Sequence, residues 1–138
     1  MNELQLRKNA LVAKDGTPVR LVYDQEADIL EIFFGENGPT TGIELTDQIV
    51  LRIDQQQRRA LSLTLLHFSI LAEQTEYGPR NFPVDKLNQF PEKLRELILR
   101  LTTSLPVSQF LKLSHFQISS AEQMPLAYID SQPIAAYA

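Results

Sequence analysis

Val22-Tyr23-Asp24-Gln25-Glu26-Ala27-Asp28-Ile29-Leu30-Glu31-Ile32-Phe33-Phe34 is the stretch that decides the fold. It reads as strand, turn, strand. Asp24 and Asp28 flank a short polar segment, and Asp side chains accept backbone N–H bonds that close tight turns. Ile29 to Phe34 then runs apolar on both faces. Leu30, Ile32 and Phe34 point one way, and Ile29, Glu31 and Phe33 the other. A strand of that kind belongs in the middle of a sheet or under cover on both sides.

Reading outward, Asp15-Gly16 separates Leu11–Lys14 from Val19–Asp24 and predicts a hairpin. In the second of those stretches Val19, Leu21 and Tyr23 share one face, and Arg20, Val22 and Asp24 the other. Downstream, Thr41–Leu45 predicts a short strand. Gln48–Asp54 alternates with Ile49, Leu51 and Ile53 inward and Val50 and Arg52 outward. Ala60–Phe68 predicts another strand, with Leu61, Leu63, Leu65 and His67 on one face. Short connections throughout predict an antiparallel meander.

The pattern changes after Ile70. Residues 73–89 read as a loop interrupted by Pro79 and Pro83, with one helical turn near Val84–Leu87. Pro91 suits the first position of a helix. Leu94, Leu97, Ile98, Leu101 and Leu105 form one stripe at helical spacing before Pro106 stops it, which predicts a helix over 91–105. Phe110–Ile118 predicts a further strand. Ser119–Glu122 suggests a capping box, Leu126–Ile129 an edge strand, and 130–138 a frayed tail. The expectation is one α+β domain over 1–138: an antiparallel β-meander sheet, one amphipathic helix packed on it, and a C-terminal strand.

Composition narrows the function. The 138 residues are 43% hydrophobic and 22% charged, which is the balance of a folded globular chain. The absence of Cys excludes disulfides, thiolate metal sites and a Cys nucleophile, and fits a cytoplasmic protein. No signal-like segment and no membrane-spanning run is visible. The net charge of −4 is unevenly spread. Leu21–Leu51 holds no Lys or Arg but carries Asp24, Glu26, Asp28, Glu31, Glu36, Glu44 and Asp47, so a nucleic-acid partner is not expected.

The turn-and-strand segment resembles the bacterial domain of unknown function 2283 family, whose members carry a Tyr-Asp-x-Glu-Ala-Asp turn before an aliphatic–aromatic strand. The likeness covers roughly Val19–Phe68. It implies a small antiparallel sheet and supplies no reaction. It also implies an antitoxin-like or partner-binding role, because some members are thought to sit beside small toxin-like proteins.

No catalytic constellation stands out. Asp24, Glu26 and Asp28 alternate like cation ligands, but lack the Gly and distal Glu of a calcium loop. Gly35, Gly38 and Gly42 match neither phosphate-binding pattern. His67 and His115 are the two histidines, and on neighbouring strands they could join a carboxylate in a metal site. Tyr23, Phe33, Phe34, Phe68, Phe110 and Phe116 could line an apolar pocket between sheet and helix. The acidic window weighs more. It points to a non-enzymatic interaction module without a cofactor, binding a second copy of itself or a small basic protein through Glu26, Glu31, Glu36 and Glu44. A metal-dependent enzyme or a small-molecule binder is the alternative.

Overall fold

Alternation fixes the strands, and turn chemistry joins them. A computed structural model describes residues 6–76, 78–117 and 123–130. β1 (Leu6–Val12) and β2 (Pro18–Asp24) form the hairpin, with Gly16 at φ 91° in the turn. Asp15 Oδ1 accepts the Thr17 N–H at 3.0 Å. β3 (Ile29–Phe34), β4 (Thr41–Glu44), β5 (Ile49–Asp54) and β6 (Arg59–Leu66) complete a six-stranded antiparallel sheet.

The spatial order is β1-β2-β3-β6-β5-β4. Two three-stranded meanders, β1–β3 and β4–β6, therefore meet along β3 and β6, and the loop at 35–40 carries the chain to the far edge. Arg59 anchors that loop by donating to the Phe34 carbonyl at 3.2 Å and to the Glu36 carbonyl. β3 lies inside the sheet, as its apolar content demands.

The inner face of the sheet is the core. Val19, Leu21, Leu30, Ile32, Phe34, Ile43, Ile49, Leu51, Leu63 and Leu65 are all buried there. The chain after β6 supplies their cover. It runs through α1 (Phe68–Leu71), the small hairpin β7 (Gln74–Thr75) and β8 (Gly78–Pro79), then β9 (Phe82–Pro83). α2 (Glu92–Thr102), β10 (Leu111–Gln117) and β11 (Gln123–Ile129) follow, and β10-β11-β9 form a second sheet. Leu71, Val84, Leu87, Leu97, Ile98, Val107, Phe110 and Ile129 share one hydrophobic cluster with the inner face. Each such side chain, fully buried, contributes roughly 1.5–3 kcal/mol.

Three local expectations change. The strand of β6 ends at Leu66, because His67 turns left-handed at φ 53° and starts the single turn of α1. His67 is thus not on the face of Leu63 and Leu65. α2 ends at Thr102 rather than Leu105, with Pro91 as its N-cap. Thr102 and Thr103 hydroxyls donate back to the carbonyls of Ile98 and Leu99 at 2.8 and 2.7 Å, so the last turn is held by side-chain bonds to its own backbone. Phe82–Pro83, expected as loop, pairs with β11. The expected capping box at 119–122 and the tail at 131–138 lie outside the described residues. Among the described residues no helix is long and apolar enough to cross a membrane.

Candidate functional site

The second face of the six-stranded sheet carries no second layer among the described residues, although Ser62 in its middle is buried between its neighbours. Strand register places its side chains in rows. One row reads Lys8, Val22, Glu31, Thr64, Val50, Glu44 from β1 to β4. The next reads Ala10, Arg20, Phe33, Ser62, Arg52, Gly42. A third, partial row sets Asp24 beside Ile29 and Leu66. Val22, Ile29, Glu31, Phe33, Val50 and Leu66 are half-buried, and Lys8, Arg20, Arg52 and Glu44 are exposed. Described residues of the second layer cover the opposite face only.

The chemistry of this face is mixed and organised. The carboxylates Glu31 and Glu44 stand in one row, three strands apart, and the guanidiniums of Arg20 and Arg52 stand in the adjacent row, also three strands apart. At about 4.8 Å per strand, each separation is about 14 Å. Arg20 lies over the Phe33 ring, 4.7 Å from its centroid. Glu31 has no hydrogen bond or ion pair among the described residues, although apolar neighbours partly desolvate it. Thr64 Oγ1, beside Glu31, is buried without a hydrogen-bond partner. Asp and Glu in apolar surroundings call for a counter-charge.

The other acidic residues occupy separate places. Glu26 sits in the β2–β3 turn and Glu36 in the β3–β4 loop, at opposite ends of β3. Of Glu26, Glu31, Glu36 and Glu44, the fold therefore brings two onto one face. Glu44 and Asp47 share Lys86, at 2.6 and 2.8 Å, and the hydrogen bonds to Asp47 and Glu44 raise the Lys86 pKa. That contact ties the segment after β9 to the β4–β5 hairpin.

Asp24 and Asp28 divide the work of the turn. Asp24 Oδ1 accepts the Ala27 N–H at 3.1 Å and closes the turn itself. Asp28, left-handed at φ 56°, reaches across 41 residues. It accepts the Ser69 hydroxyl at 2.6 Å, the Ser69 N–H at 3.0 Å and the Tyr23 hydroxyl at 2.7 Å. Partial desolvation works to raise its pKa. The Ser69 and Tyr23 hydroxyls, the Ser69 N–H and the nearby His67 together outweigh that and hold it below the ordinary carboxylate value. The arrangement is a clamp between the β2–β3 turn and the exit of β6. Ser69 is bonded to Asp28 directly, with no imidazole hydrogen-bonded between them, so these residues do not form a Ser-His-Asp triad.

β6, which leads into His67, and β10, which holds His115, belong to different sheets and are not neighbours. The His115 side chain lies outside the described set. No group of three His, Cys, Asp or Glu residues with metal-site geometry occurs among the described residues. The aromatic residues divide as well. Phe34 packs on Phe110 at 6.0 Å, Tyr23 meets Phe68 edge-on at 5.6 Å, and Phe33 lies under Arg20 on the open face. The space between sheet and helix is a cleft of about 300 Å³ lined by Phe34, Arg58, Arg59, Leu101, Leu105 and Val107.

Fold and geometry define an α+β chain built on an antiparallel sheet with a clamped Tyr-Asp turn. The comparison with protein families agrees: residues 20–69 match the family described as Protein of unknown function (DUF2283), about a third of the chain. The matched span runs from β2 to Ser69, the residue that Asp28 holds. No curated protein and no solved structure matches the chain.

Proposed function

We propose that this chain is a non-enzymatic protein-interaction module that docks another protein chain on the open face of the six-stranded sheet. The observation that carries the reading is Glu31. It is a half-buried carboxylate without a counter-charge among the described residues, set among Val22, Ile29, Phe33 and Leu66. Half-buried apolar side chains interspersed with charges on one exposed sheet face suit the docking of another chain. The resemblance to a family with proposed partner proteins supports the same role.

Affinity purification of the tagged chain from its own host tests this, run beside Val50→Asp and Arg52→Glu. Wild type is expected to retain a stoichiometric second chain, whether another copy or a different protein, and both variants to lose it while keeping native circular dichroism. Retention of the same companion by both variants would contradict the proposal.

A further inference from the structure

The open face has a charge arrangement that fits a second copy of itself. Its acidic row holds Glu31 on β3 and Glu44 on β4, and its basic row holds Arg20 on β2 and Arg52 on β5. In strand order the acids occupy the third and sixth positions and the bases the second and fifth. The two rows thus share one spacing and are offset by a single strand. Between and beside the charges lie Val22, Phe33 and Val50, with Ile29 and Leu66 in the third row.

A symmetric pair must place the same patch on both partners. Two in-plane two-fold axes keep the strands of the facing sheets aligned, as sheet-on-sheet packing requires. An axis along the strands sets Arg20 over the partner's Arg52, which is repulsive, sets Glu44 over the partner's Lys8, and leaves Glu31 opposite the uncharged Thr64. An axis across the strands, between the two charged rows, sets the acidic row of each copy over the basic row of the other. Arg20 of one copy then faces Val22 of the second and lies one strand, about 4.8 Å, to the side of Glu31. Arg52 meets Val50 and Glu44 in the same way. Glu44 already shares Lys86 with Asp47, so two carboxylates divide one ammonium and the pair keeps a net negative charge. Lys8, in the acidic row at the β1 edge, faces the small Ala10 in this arrangement.

We infer that the occupant of the open face is a second copy of this chain, related by a two-fold axis running across the strands. The inference rests on the docking role proposed above and names its partner. With the axis between the two charged rows, those two rows oppose each other across six strands, roughly 390 Å² per copy. The total of about 800 Å² is the size of a weak, transient contact, and the charge pattern rather than the area selects the partner.

The test uses two charge-row variants of the full chain. One carries Arg20→Glu with Arg52→Glu, and the other Glu31→Arg with Glu44→Arg. Sedimentation equilibrium of wild type is expected to show a dimer, and each variant alone a monomer with association weakened at least about tenfold. An equimolar mixture of the two is expected to restore a mixed dimer, because each opposed pair of rows is again complementary. That rescue also shows that both variants are folded. A wild-type dimer that both variants retain places the contact elsewhere and overturns the inference. A monomeric wild type overturns it too. In that case loss of a different companion protein on Val50→Asp leaves the docking role standing, and no effect of Val50→Asp on any complex removes both.

Discussion

Asp28 is the residue on which the matched segment closes. Its carboxylate holds Tyr23, and through Ser69 it fixes the exit of β6. Hydrogen bonds to a charged group contribute about 1.5–3 kcal/mol each when well shielded, and less at a partly exposed site. Asp28→Asn keeps a side chain that tolerates φ 56° and removes the charge, so it is expected to cost about 1–2 kcal/mol at neutral pH. Because folding lowers this pKa, the stabilisation is complete above the ordinary value near 3.8 and is lost as the pH falls through the lowered one. Denaturant titrations from pH 7 down to the acid limb should therefore show the wild-type and Asp28→Asn stabilities converging. A gap that stays constant with pH would refute the charge argument. Thr64 gives the opposite sign. Its hydroxyl is buried without a partner, so the isosteric Thr64→Val is expected to leave stability unchanged or raise it by up to about 1 kcal/mol, read from the shift in denaturation midpoint.

At the scale of elements, β6 gives one face to the core and the other to the proposed docking surface. Leu63 is fully buried on the inner face, whereas Leu66 is half-buried on the open face. Leu63→Ala is expected to destabilise the chain by about 2–5 kcal/mol. Leu66→Ala is expected to cost the isolated chain less than about 1 kcal/mol and to weaken association instead. Equal losses of stability in chemical denaturation below the association range would show that both faces are core. The faces are legible in part from alternation: Val50 and Arg52 read as outward, and Arg20 and Val22 read as sharing the face opposite Val19 and Leu21. What alternation cannot provide is the neighbour of each strand. The placement of β3 against β6, not β4, creates the rows, and that pairing depends on long-range packing. The same limit applies to Ser69, which lies 41 residues from Asp28 in a stretch that reads as the end of a strand. His67 reads as a strand residue because a left-handed non-glycine residue gives no local signal. The early end of α2 comes from the hydroxyl run Thr102-Thr103-Ser104, whose back-bonding competes with the helix before Pro106 is reached.

For the whole molecule, one sheet has two different faces. The inner face and the layer after β6 make the core, and the open face combines apolar side chains with ordered rows of charge. The proposed pairing covers the open face and opposes charged rows, so it carries a salt dependence. Raising the ionic strength from about 0.05 M to about 0.5 M is expected to weaken self-association several-fold without changing the circular dichroism. The most direct measurement is the mass of the chain in solution by light scattering, for wild type and Phe33→Asp, over a roughly hundredfold range around micromolar concentration. Wild type should approach twice its 15.7 kDa as concentration rises, while Phe33→Asp, folded, stays at 15.7 kDa. A wild type that stays at 15.7 kDa throughout, or a Phe33→Asp chain that doubles as readily, would contradict the pairing of open faces.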